Sequence, residues 1–261
     1  MPDWIVAVIL GAIEGITEFL PVSSTGHLLL AEQWLPRQSD LFNVVIQSGT
    51  VLAVILVFTG KIQDLLFRWR DPKTQDYILK LCGAFFITGA GGLVLEKMDF
   101  KLPEKARPVA LALLIGGILI LMIEWFVRGR KLQDEITWPV AIAVGAAQLA
   151  AAIFPGLSRS GATILTALAM GASRPIATEF SFLLGIPTLW AAGAVKILHA
   201  WRHPGAEAIS WPLLLMATVI AVITAFLSVR WLVRFVQTQT FAPFAWYRIA
   251  LGLAILFLAA S

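Results

Sequence analysis

The feature that most constrains this chain is a polar interruption inside an otherwise apolar run. Glu14 to His27 reads EGITEFLPVSSTGH. Glu14 and Glu18 are four residues apart, so on a helix they share one face. Like charges at that spacing repel unless something positive sits between them. Pro21 removes a backbone donor and ends the helix. Ser23, Ser24, Thr25 and Gly26 then offer hydroxyls and a flexible joint suited to capping a new helix. That helix starts near His27 and runs through Leu28, Leu29 and Leu30. The stretch predicts helix, polar break and helix within one membrane span.

A second stretch answers the first. Pro155 to Thr163 reads PGLSRSGAT and also interrupts an apolar run. With Pro21 laid over Pro155, Gly11-Ala12 falls on Gly145-Ala146, Glu14 on Gln148, Ser24 on Ser158 and Thr25 on Arg159. The two stretches read as an internal repeat, acidic in its first copy and cationic in its second.

The surroundings identify the solvent. The chain is 59% hydrophobic and 14% charged, against roughly 25% charged residues in soluble domains. A soluble globular fold is excluded on that ground. The apolar runs are long and do not alternate, which argues for helices over a spanning barrel. The expected fold is an all-α polytopic membrane protein, one integral domain over 1–261, with repeat 1 at 1–131 and repeat 2 at 132–261. Broken segments lie at 4–32 and 138–170, and six full spans at 41–58, 79–96, 108–127, 177–197, 211–235 and 243–260. The first span carries a polar patch at Asn43, Gln47, Ser48 and Thr50, and a charged loop follows it at 61–73. Laying Phe42 over Phe180 puts Gly49-Thr50 on Pro187-Thr188, and Gly116 corresponds to Gly252.

If each broken segment is re-entrant, each half crosses the membrane an odd number of times, and the halves are inverted. Broken backbone at membrane depth is tolerated only where it lines a cavity or is buried in protein. Two breaks entering from opposite faces meet there. Ten basic residues, among them Lys61, Lys73 and Arg174, collect on one side. Seven, among them Arg37, Lys101, Lys105 and Lys196, collect on the other. The positive-inside rule puts the first side in the cytoplasm and the mouth of the first break outside. No cleavable leader is expected, because Asp3 stands where a basic segment belongs. The single Cys82 leaves no disulfide and no cysteine metal site within one chain. The net charge of +4 suits loops beside anionic lipid, and no nucleic-acid motif is present.

Ionisable groups inside a span are costly to bury and mark function. Glu14 and Glu18 either hold a divalent cation between them or supply a general base. Arg159 is either a counter-ion for a glutamate or an anion clamp, since a guanidinium grips phosphate oxygens with a two-pronged fork. Ser158 and Ser160 flank it, and the N–H groups of the following helix point the same way. An arginine, hydroxyls, helix N-termini and two carboxylates together describe a phosphate site with a metal. His27 follows Ser24 by three residues, so a helix start brings them together. A histidine there activates the serine or receives a phosphoryl group. Ser24 and Thr25 also suit simple N-caps, the commonest use of such residues, and Ser23, Ser160 and Thr163 are caps or phosphate donors rather than nucleophiles. Glu124 and Arg128, four apart, are expected to pair.

The two stretches resemble the signature motifs of the undecaprenyl-diphosphate phosphatase family (BacA/UppP), and FNVVIQSGTVLAV and EFSFLLGIPT extend the resemblance over essentially the whole chain. The resemblance implies hydrolysis of undecaprenyl diphosphate to undecaprenyl phosphate and inorganic phosphate. It also implies lipid-carrier recycling for peptidoglycan and bacitracin resistance. The implied setting is the bacterial inner membrane, with a divalent cation (Mg2+ or Ca2+) and a site open to the periplasm. Carried over, the catalytic set is Glu14, Glu18, Ser24, His27 and Arg159. Ser23, Thr25, Ser158, Ser160 and Thr163 bind substrate, and the metal falls to Glu14 and Glu18. Leu157 departs from the threonine common in the family and touches no proposed role. The nucleophile stays open between Ser24, His27 and water, and a homodimer stays open as the assembly. The rival class is a lipid or anion transporter, because inverted repeats with broken helices also build transporters.

Overall fold

Apolar runs of this length satisfy their backbone in lipid only as helices, and helices account for every regular element among the described residues. The computed structural model describes residues 1–98, 106–203 and 210–258. The first half holds α1 (Asp3–Thr17), α2 (Ser24–Ala31), α3 (Asp40–Gly49), α4 (Val51–Val57), α5 (Thr59–Phe67), α6 (Pro72–Lys97) and α7 (Ala106–Val127). The second half holds α8 (Trp138–Ile153), α9 (Arg159–Ala169), α10 (Arg174–Arg202), α11 (Trp211–Phe235) and α12 (Ala242–Leu258). Among the described residues, five helical units are long and apolar enough to cross a membrane: α3 with α4, α6, α7, α10 and α11. The sixth expected span is α12, whose last expected residues, 259 and 260, lie outside the described part, as do Lys101 and Lys105. The chain is an all-α polytopic membrane protein.

The packing is reciprocal between the halves. α1 lies along α11, while its counterpart α8 lies along α6, the counterpart of α11. α7 and α12 lie along each other. Small residues let these backbones approach, as membrane helices require. A Cβ on Gly117 of α7 would stand 2.9 Å from the Ala245 carbonyl oxygen of α12. A Cβ on Gly252 of α12 would stand 2.9 Å from the Ala110 carbonyl oxygen of α7. Each glycine therefore meets the other half's alanine carbonyl, and the partner of Gly252 is Gly117, one residue on from the expected Gly116.

Both breaks end in the same backbone device. Ser23 and Ser158 stand at φ 70° and 71°, the only described non-glycine residues with positive φ. Each is an N-cap whose hydroxyl accepts an N–H three residues on, from Gly26 at 3.3 Å and from Gly161 at 3.1 Å. The repeat register therefore changes inside the break. Glu14 still matches Gln148, but Ser23 matches Ser158 and Ser24 matches Arg159. The reason is one extra residue in the second break. Gly156 there adopts φ +93°, a conformation open to glycine.

Two local expectations are corrected. The charged loop after the first span is helical over α5, with none of its residues buried. Glu124 does not pair with Arg128, which lies beyond the end of α7 and is exposed. It pairs instead with Arg174 at the start of α10, with the Arg174 Nε 3.0 Å from Oε1, and it accepts the Phe241 N–H at 2.7 Å.

Candidate active site

The two breaks meet. Glu18, the residue after α1, and Arg159, the first residue of α9, form an ion pair with Nη2 3.0 Å from Oε1. Glu18 is buried, at 5% exposed, and Arg159 is half-buried. The second oxygen of Glu18 accepts two more donors, Ser24 Oγ at 2.8 Å and Gln47 Nε2 at 2.9 Å. One buried carboxylate thus gathers a cation, a hydroxyl and an amide from three different segments. Arg159 also lies over the Phe19 ring, 5.3 Å from its centroid. Its Nε–H is buried and has no acceptor.

Glu14 is different. It is 1% exposed, and neither carboxylate oxygen has a hydrogen-bond partner. An unpartnered buried carboxylate asks for a proton or a cation. It lines a cleft of about 420 Å3 together with Ser24, Thr25, Gln47 and Asn43. The cleft's rim carries Arg37, Asp40 and Lys196, on the side reasoned to face outward. Leu28, Leu29, Val44, Val109 and Pro155 supply its apolar wall, and Glu32 adds a second carboxylate to the lining. Glu18 and Arg159 adjoin this wall through Ser24 and Gln47.

The expected site residues separate into three groups. Ser24 and Thr25 line the cleft beside Glu14. Ser23 and Ser158 are the N-caps. Ser160 and Thr163 are fully buried with their hydroxyls engaged. Ser160 Oγ bonds the Leu20 carbonyl at 2.9 Å, and Thr163 Oγ1 bonds the Arg159 carbonyl at 2.9 Å. Ser160 ties the second break to the first, Thr163 bonds within α9 and to Ser181 of α10, and neither lines the cleft.

Ser24 and His27 are not hydrogen-bonded to each other. Ser24 turns inward to Glu18, and both ring nitrogens of His27 are taken. Nδ1 lies 2.8 Å from the Ser23 carbonyl, which can only accept, so Nδ1 carries a proton. Nε2 lies 2.6 Å from the Tyr247 hydroxyl on α12. Glu14 and Glu18, the pair expected to hold a cation, differ in their hydrogen bonding. Glu18 accepts three donors, whereas neither oxygen of Glu14 accepts any. No cluster of three or more acidic, histidine or cysteine side chains suited to a metal occurs among the described residues.

Sequence reasoning missed Tyr247 and Arg248. Arg248 is fully buried beneath both breaks. The signal was available, since Arg248 is an ionisable residue within the apolar stretch FAWYRIALGLAI.

Comparison with known proteins agrees with the motifs. The family model described as bacitracin resistance protein BacA matches residues 7–254. The undecaprenyl-diphosphatase of Rhizobium johnstonii is 51% identical over 260 residues, covering 99% of this chain and 98% of the relative. That of Xylella fastidiosa is 47% identical over 251 residues, covering 96% of each.

Proposed function

The chain belongs to the bacitracin resistance protein BacA family, and from that premise we propose that it hydrolyses undecaprenyl diphosphate where its two breaks meet. The products are undecaprenyl phosphate and inorganic phosphate, which returns the lipid carrier to envelope synthesis and opposes bacitracin. One observation carries the assignment of the centre. The Ser24 hydroxyl donates to a buried carboxylate, Glu18, whose other oxygen is held by Arg159. A nucleophile, a base and an orienting third group in hydrogen-bond contact are the pattern of covalent catalysis.

In the proposed route the diphosphate head enters the cleft from the periplasmic side of the inner membrane, and the polyprenyl tail stays among the apolar spans. Ser24 Oγ attacks the terminal phosphorus and passes its proton to Glu18. The bond from that phosphorus to the bridging oxygen breaks, and undecaprenyl phosphate leaves. Water then cleaves the phosphoserine and releases inorganic phosphate. The free Nε–H of Arg159 and the N–H groups opening α2 and α9 receive the equatorial oxygens. Glu14, with Thr25 nearby, would hold a divalent cation such as Mg2+ or Ca2+, its open oxygens fitting that role. When bound, the cation neutralises charge on the phosphate oxygens. The halves 1–131 and 132–261 act as inverted repeats that bring the two breaks to one depth.

Phosphate release from undecaprenyl diphosphate in detergent tests this reading. Wild type should release phosphate, lose the activity to chelator and regain it with Mg2+ or Ca2+. Ser24→Ala should abolish turnover, and Glu18→Gln should lower it by on the order of 10²–10⁴-fold. A protein that moves the lipid across liposomes yet releases no phosphate would be a transporter, and the proposal would fall.

A further inference from the structure

We infer that Arg248 is a positioning residue that sets the register between the two breaks, an inference that rests on the reading of their junction as the phosphatase centre. Arg248 projects from α12 and is 0% exposed. A guanidinium has five N–H donors, and each meets a main-chain carbonyl. Nη1 donates to Pro21 at 3.3 Å and Leu157 at 3.0 Å. Nη2 donates to Gly156 at 3.1 Å and Ala112 at 3.1 Å, and Nε donates to Leu113 at 3.4 Å.

The choice of carbonyls is the argument. Pro21 is in the first break, Gly156 and Leu157 in the second, and Ala112 and Leu113 on α7. Carbonyls in a break have no intrahelical donor, and in a buried site they need another. One side chain meets that need in both halves at once. It does so two residues before each N-cap serine or closer, and those caps open the helices that carry Ser24 and Arg159. A shift of Arg248 therefore moves Ser24 and Arg159 relative to each other.

The surroundings are cut to the fork. A Cβ on Gly116 would collide with Nη2, and one on Gly161 would stand 3.2 Å from Nη1. All five of its hydrogen bonds go to main-chain carbonyls, so among the described residues its charge is met by carbonyl dipoles. Lysine keeps the charge but has three donors and no plane, so it cannot hold both breaks and α7 together.

The experiment pairs steady-state phosphate release with hydrogen exchange of the full chain in detergent, on wild type, Arg248→Lys and Gly116→Ala. Gly116→Ala displaces the fork without removing its charge. In both variants kcat should fall by on the order of 100-fold, with KM within a few-fold of wild type. Exchange should rise in both breaks, residues 18–24 and 154–160, while α11 keeps wild-type protection. A rise throughout the protein together with a lowered melting temperature would make Arg248 merely structural and overturn the inference. So would wild-type kcat in both variants. Wild type that releases no phosphate would sink the functional reading alone, since exchange confined to the two breaks would still test the brace.

Discussion

At the scale of the residue, the centre is one carboxylate with three donors beside one with none. Glu18 answers Arg159, Ser24 and Gln47, whereas Glu14 has no donor at all. Removing the base role alone, by Glu18→Gln, should lower kcat by on the order of 10²–10⁴-fold, read as phosphate release. Arg159→Lys should not rescue function, because a point charge cannot serve Glu18 and a phosphate oxygen together. His27→Gln should lose less activity than Ser24→Ala, since His27 bonds Ser23 and Tyr247 rather than the nucleophile. If His27→Gln proves as inert as Ser24→Ala, histidine takes a direct part in the chemistry. The acidic pair and Arg159 were legible because charges in apolar runs stand out. Their division of labour was not, because it depends on Gln47, which sits 29 positions along from Glu18 and belongs to another helix.

At the scale of the element, each break is a helix end, a turn and a serine cap held at positive φ. That conformation strains a side chain, and the cap hydrogen bond offsets the strain. Ser158→Gly relieves the strain while losing the cap and should be nearly neutral. Ser158→Ala keeps the strain and loses the cap, so it should destabilise by roughly 1–2 kcal/mol. Thermal melting in detergent would separate the two, and equal melting points would remove the argument from φ. The Glu124–Arg174 pair clamps α7 to α10 and holds the Phe241 N–H before α12. Glu124→Ala leaves a cation and an amide unanswered and should lose roughly 3 kcal/mol. The caps were legible as a run of hydroxyls. The one-residue slip between the breaks was not, because two prolines at matching places invited a register that the inserted Gly156 breaks.

At the scale of the whole molecule, reciprocity between halves makes its own prediction. Gly117 and Gly252 occupy equivalent places in one contact between α7 and α12, so Gly117→Val and Gly252→Val should cost similar stability, about 1–3 kcal/mol each. A large loss in one with none in the other would show that the halves are not equivalent there. The sequence by itself determined the solvent, the helical class, the two breaks and the ionisable groups they carry. Those follow from local chemistry, because lipid forbids unpaired backbone and penalises stray charge wherever they occur. Tertiary structure alone decided that Ser24 turns to Glu18 instead of His27, that Glu14 stays open, and that Arg248 joins both breaks. Each is a choice among competing partners distant in the chain, and only distance in space ranks them.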